Sequence, residues 1–151
     1  MHCENVIEMA GSLERIYELA ANIQDWPALL PHYRYVRVLE QSERHKVAAM
    51  GARRGWFPVS WRARQDLLPE QHRIRFRHLG GVSRGMEVEW RLVPASHRVR
   101  VTITHDLNYP IPLLGPLFAH YIVGELFVKP IANMTLRRIK EIVEGEAKQA
   151  G

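Results

Sequence analysis

Through the middle of the chain, polar and apolar residues alternate with period two, the pattern of strands that turn one face to a core. In MEVEWRL the apolar set is Met86, Val88, Trp90 and Leu92, against Glu87, Glu89 and Arg91. In VRVTITHDL it is Val99, Val101, Ile103, His105 and Leu107, which aims a histidine inward among aliphatic neighbours. In VSWRARQ the inner set is Val59, Trp61, Ala63 and Gln65, with Arg62 and Arg64 outside. In RIRFRH the arginines Arg73, Arg75 and Arg77 take one face, and Ile74, Phe76 and His78 the other. Six strand-like runs follow one another at residues 33–41, 45–53, 56–67, 72–79, 83–93 and 97–107, separated by turns short enough for antiparallel hairpins. A weaker alternation at residues 4–10 predicts a strand ahead of them.

Helical spacing takes over at both ends. Ser12 is placed to cap a helix in which Leu13, Ile16, Tyr17 and Ala20 recur on one face, and Glu14 suits the positive end of its dipole. A second, very short helix is expected after Asp25, with Pro27 in its first turn and Pro31 ending it. After the last strand, a Pro-rich apolar connector at residues 108–116 leads into a long amphipathic helix, with a stripe of Leu117, Tyr121, Val128, Thr135, Ile139 and Ile142. Pro130 should kink or interrupt that helix, and the tail at residues 145–151 should fray. The order is strand, two short helices, six antiparallel strands and one long helix. A twisted sheet curled around one helix leaves a gap, so an internal cavity is expected.

Composition narrows the classes. The 151 residues are 46% hydrophobic and 25% charged, values of a globular chain rather than a disordered one, and the length fits one domain over residues 1–151. A single cysteine, Cys3, can form neither an internal disulfide nor a thiolate metal site, so a cytoplasmic setting is expected. Glu4, Glu8 and Glu14 interrupt what a secretory leader would need, and prolines, glycines, His120 and Glu125 break the apolar stretch at 109–128, so no membrane span is expected. The net charge is +5, but residues 34–100 hold 15 basic and 6 acidic residues. The sheet should therefore present a cationic outer face. A solvated surface accounts for such a face by itself; docking to an acidic protein or an anionic membrane uses the same array. Nucleic-acid binding is disfavoured, because no recognition helix or RNA-stacking signature accompanies the arginines.

The order of elements, the segment IQDWPALLPHYRYVRVLE with its Asp25-Trp26-Pro27 step followed by Tyr33, and the terminal FVKPIANMTLRRIKEIVE together resemble the START-like (SRPBCC) superfamily, in particular its polyketide cyclase/dehydrase and coenzyme Q-binding branch. The resemblance spans nearly the whole chain. It implies an α+β helix-grip fold: a seven-stranded antiparallel sheet wrapped around a long C-terminal helix, with two short helices after the first strand and a hydrophobic pocket inside. The family's pocket aromatics match Trp26, Tyr33, Trp61 and Trp90. Cyclases of this type also tend to hold an arginine in the pocket, on the strand that here reads WRARQDL. Alternation from Trp61 turns Gln65 inward there and Arg64 outward, a departure from the pattern.

Read on their own chemistry, His105 and His78 are the inward titratable candidates, and His105 is the candidate acid/base residue because an unperturbed imidazole titrates near pH 6.5. Met86 joins the tryptophans as a wall, and Tyr121 is expected as a polar contact from the last helix. His32 and His120 lack a partner at metal-ligand spacing, no G-x-S-x-G elbow is present, and no glycine-rich phosphate loop appears, so neither a metal nor another cofactor is expected. The expected function is binding of a hydrophobic, aromatic or polyketide-like small molecule in an internal cavity, with cyclisation or dehydration as the chemistry that could follow. The other reading is a non-catalytic carrier of a lipid or quinone. The connector around residues 109–118 is open between lid, membrane contact and packing, and pairing as a homodimer is also left open.

Overall fold

In the computed structural model, the structure describes residues 1–81, 83–108 and 119–150, without the side chains of 119–122 and 150. The connector at 109–118 and the Tyr121 side chain lie outside the described residues. β1 (His2–Met9) leads into α1 (Leu13–Ala21), a 3-10 turn at Ile23–Asp25 and the single-turn α2 (Trp26–Leu29). The Ser12 hydroxyl accepts a hydrogen bond from the Arg15 amide at 3.1 Å, the expected cap. Asp25 precedes α2 but its side chain makes no capping bond; Pro27, whose missing N–H costs nothing in a first turn, suffices to start so short a helix.

The strands β2 (Tyr33–Gln41), β3 (His45–Arg54), β4 (Phe57–Leu68), β5 (Arg73–Gly80), β6 (Glu87–Ala95) and β7 (Arg98–Asp106) form a meander. β1 closes it by pairing with β7, and the seven-stranded antiparallel sheet runs β1-β7-β6-β5-β4-β3-β2. Register shifts at Arg34, Leu39 and Leu79 insert single extra residues, a device that sharpens the bend of a strand and helps a sheet curl. The predicted inner residues are inside: Met86, Val88, Trp90, Leu92, Val99, Val101, Ile103, His105 and Leu107 are all buried.

Helical structure resumes with a π-helical segment at Ala119–Val128 and continues as α3 (Lys129–Ala150). Pro130 has no N–H to donate and its ring crowds the carbonyl four residues back, so the change from wide to normal turns falls where the sequence requires an irregularity. The π segment takes an extra residue per turn. The buried stripe of α3 runs Ile131, Ala132, Thr135, Leu136, Ile139 and Val143, and the expected Val128 and Ile142 pack against the same core at its margin, while Leu117 lies outside the described residues. The tail does not fray: α3 stays helical to Ala150. One reason is the paired fork between Arg15 of α1 and Glu146, with both N–O distances 2.9 Å.

The α3 helix crosses the concave face of the sheet and is seated closely. An added Cβ on Gly11 would lie 2.0 Å from Val143 Cγ1, so only glycine lets the β1–α1 corner meet the helix. Glu144 accepts the Ala10 amide at 3.0 Å, and Arg138 Nε donates to the Leu29 carbonyl at 3.0 Å, tying the helix to α2 as well. This α+β arrangement is the helix-grip architecture.

Candidate functional site

Sheet and helix do not meet along their full length, and between them lies a cavity of about 570 Å³, within the range of small-molecule sites. Its aromatic wall is Trp26, Tyr33, Trp61, Phe76, Trp90 and Phe127; Met50, Met86, Val88, Ile103, Val123 and Ile131 add aliphatic surface. The polar side chains at the wall are Tyr33, Ser60, His78, Ser83, His105 and Thr135. Of the residues singled out in the sequence, Trp26, Tyr33, Trp61, His78, Met86, Trp90 and His105 all come together here.

Each aromatic is held by an identifiable contact. The residue that opens α2, Trp26, donates its indole N–H to the Leu19 carbonyl at 3.0 Å, so the ring is pinned to α1. Tyr33 meets it edge-on at 4.9 Å, and Trp90 and Phe76 lie at 6.0 and 6.4 Å, the spacings of interacting rings. Burial pushes the Tyr33 phenol well above its ordinary pKa, an effect the Thr135 hydroxyl partly offsets. Thr135 donates to the Ile131 carbonyl at 2.8 Å and lies 2.8 Å from His32 Nε2. Its one proton is thereby used, so His32 must be the donor in that contact. His32 is thus a buried structural histidine, with its pKa lowered to about 4 by burial. Among the described residues no group of side chains could hold a metal ion.

The two inward histidines are the chemical centre. His78, near the end of β5, lies flat on Trp61, and its Nδ1 is 2.6 Å from Ser83 Oγ. Its pKa falls to about 3, chiefly through burial and then through the charge that His105 would carry. His105 on β7 falls to about 4 through burial, partly opposed by Asp106. Both imidazoles are therefore neutral at physiological pH. The sequence expectation of a histidine titrating near neutrality does not hold, because the strand alternation that turns these rings inward also removes them from water.

Among the described residues, His105 Nδ1 is covered and has no hydrogen-bond partner. An orphaned buried N–H is rarer than an orphaned lone pair, so the favoured tautomer carries its proton on Nε2. That nitrogen is not among the covered unpaired atoms, and the ring lines the cavity, which leaves an N–H donor available to a ligand.

The pocket arginine of related cyclases has no counterpart on β4. Arg62 and Arg64 are exposed, while Gln65 is fully buried and donates to the Ala21 carbonyl at 2.9 Å, away from the cavity wall. Sequence reasoning assigned no wall role to Ser60, Ser83 or Thr135. Thr135 was visible as a polar residue inside the apolar stripe of the last helix. Ser83 was not, because a turn residue has no periodicity to reveal which way it faces.

A family model described as polyketide cyclase/dehydrase and lipid transport matches residues 9–122. The chain is 31% identical over 101 residues to the actinorhodin polyketide synthase bifunctional cyclase/dehydratase of Streptomyces coelicolor, a match covering 61% of this chain and 30% of that one. It thus spans less than a third of that relative's length. Among solved structures it superposes on the Zhui aromatase/cyclase of Streptomyces sp. R1128 with a TM-score of 0.86 at 21% identity, covering 100% of this chain and 98% of that one. A Thermus thermophilus protein gives 0.81 at 20% identity, with 97% and 99% covered. A START superfamily protein of Mycobacterium smegmatis gives 0.69 at 16%, with 99% of each chain covered. These structures share the helix-grip fold. Among the described residues, no helix is long and apolar enough to cross a membrane.

Proposed function

The chain belongs to the polyketide cyclase/dehydrase and lipid transport family, and on that premise we propose that it takes a hydrophobic, aromatic or polyketide-like molecule into the cavity and promotes its cyclisation and dehydration. The observation that carries the reading is the His105 donor in a wall otherwise dominated by rings and methyl groups. Flat aromatic faces suit a planar or folding poly-ketone, and a neutral N–H donor in a dry site is a strong partner for a ligand carbonyl.

Ring closure of a β-keto chain forms a carbon–carbon bond as a methylene between two carbonyls gives up a proton and the accepting carbonyl oxygen gains one; the resulting hydroxyl then leaves as water with a second proton from the neighbouring carbon. The proposed role of His105 is to hold the accepting carbonyl through Nε2–H, stabilising negative charge as it develops on that oxygen. His78, kept in place by Trp61 and Ser83, and the Tyr33 hydroxyl, which Thr135 adjoins, are proposed to position the remaining oxygens. Trp26, Trp61, Met86 and Trp90 are the proposed contact surface, and Tyr121 stays a candidate from the last helix. The test is turnover of an aromatic poly-ketone by wild type and His105→Ala. A loss of at least about a hundredfold is expected for removing such a donor; unchanged turnover would leave only binding.

One observation favours a second reading, that of a carrier. Imidazoles with pKa values of about 3 and 4 are poor proton acceptors, which binding tolerates and proton abstraction does not. Tight binding of a quinone or acyl lipid without turnover would select it. In either case the outer face is suited to an acidic donor, whether a carrier protein or an anionic membrane. Arg64 sits directly opposite Arg77 and Arg73 opposite Arg91, and although Asp66 pairs with Arg64 and Glu89 with Arg73, Arg75 and Arg91, arginines outnumber carboxylates on this face. Pairing as a homodimer is checked by the same sample's mass in solution.

A further inference from the structure

The turn between β3 and β4 stands apart from the rest of the surface. Trp56 is 88% exposed and Phe57 58% exposed, their rings 5.5 Å apart, and Leu126 of the π segment is 41% exposed. A tryptophan left almost wholly in water at a hairpin tip, with a half-exposed phenylalanine beside it, is not explained by packing. Gly55 makes the turn at φ +62, and a Cβ there would meet nothing within 4 Å, so the tip stands clear of the body.

Within the hairpin itself the charge has one sign, the acid of the adjoining π segment, Glu125, being paired with Lys129. The exposed Arg53 and Arg54 precede Gly55, and no Asp or Glu occurs between Lys46 and Gln65. The tip also adjoins the cavity. Pro58, Ser60 and Gly81 are exposed and line it, which places its mouth here, and Phe57 packs edge-on against the wall residue Phe127 at 6.4 Å.

We infer that the β3–β4 tip seats the protein on an anionic lipid bilayer, with Trp56 and Phe57 entering the interface and Arg53 and Arg54 contacting lipid headgroups. Aromatic rings ahead of a cationic shoulder are the chemistry of an interfacial anchor. A protein partner fits the shape less well: a stable interface takes roughly 800 Å² from each side, more than a five-residue tip presents. Seated this way, the cavity mouth faces the membrane, and an apolar ligand passes between bilayer and cavity with little exposure to water.

The test is co-sedimentation of the full chain with phosphatidylcholine vesicles, with and without phosphatidylglycerol. Because it needs no cavity ligand, its result is independent of the chemistry proposed above. Binding is expected only with phosphatidylglycerol, weakening with salt, and with a blue shift of the emission of Trp56. Trp56→Ser/Phe57→Ser and Arg53→Gln/Arg54→Gln should each weaken binding by about tenfold or more. These changes fall on exposed side chains and should leave thermal unfolding where it is. Failure to bind phosphatidylglycerol vesicles, undiminished binding by either double variant, or capture of an acidic acyl carrier protein through the same four residues without any vesicle binding would overturn the inference.

Discussion

His78 lies parallel to Trp61, with their ring planes 1° apart and their centroids 5.5 Å apart. The two residues come from neighbouring strands. The extra residue that the β4–β5 register admits at Leu79 adjusts the end of β5 beside the indole. Ser83 holds the other side of the imidazole, and Met86 and Gly85 complete the corner through backbone bonds of 2.9 Å to His78. A neutral imidazole fixed in this way can offer one nitrogen to a ligand in a defined direction.

Removing one of these supports should loosen that offer without unfolding the protein. Ser83→Ala is expected to lower affinity for an aromatic β-diketone several-fold, while stability changes by about 1 kcal/mol or less. Calorimetric titration read beside a urea unfolding curve separates the two effects.

His105→Leu should move stability and function in opposite directions. Its covered, unpaired Nδ1 burdens the folded state, so an apolar side chain of similar reach should be neutral or stabilising by about 1 kcal/mol. Turnover, or ligand affinity if the protein is a carrier, should fall. A variant that loses stability and keeps function would reverse the assignment.

Stability should depend steeply on acid. His32, His78 and His105 have folded pKa values of about 4, 3 and 4, whereas in the unfolded chain each would bind its proton near 6.5. The unfolded state therefore takes up protons first. The stability that these groups contribute is complete above about pH 6.5 and is lost as pH falls toward 4, by about 1.4 kcal/mol per pH unit for each histidine. Urea midpoints at pH 7 and pH 5 should differ, and the difference should shrink in His105→Leu.

Gly11→Ala tests the seating of α3. With the added Cβ 2.0 Å from Val143 Cγ1, the corner or the helix must shift, for a loss of about 1–3 kcal/mol. An unchanged melting temperature would mean that the corner is looser than its packing implies.

The strands and the identity of the wall were legible because alternation is a strong local signal. Alternation alone puts Met86, Val88, Trp90, Ile103 and His105 on one face. Period-two patterning reports which way a side chain points but not how dry it is, so the depressed basicity of His78 and His105 was out of reach. The inner face of the last helix was legible too, since Thr135 and Ile139 are buried and Val128 and Ile142 pack at its margin. Helical spacing does not show, however, that residues 119–128 wind wider than an α-helix. Trp56 shows the same limit from the other side. A tryptophan is usually taken for core, and only a turn built on Gly55 places this one in water.

The central claim is that the cavity holds a flat, oxygen-bearing hydrophobic molecule. Native mass spectrometry of wild type and Ala132→Phe, each incubated with an aromatic β-diketone and followed by organic extraction of the bound fraction, tests it most directly. Ala132 lines the cavity from α3, and a phenyl ring there occupies ligand space. A one-to-one adduct on wild type that disappears in the folded Ala132→Phe variant is the predicted result. No adduct on wild type, or an adduct that survives the filled cavity, would contradict the account.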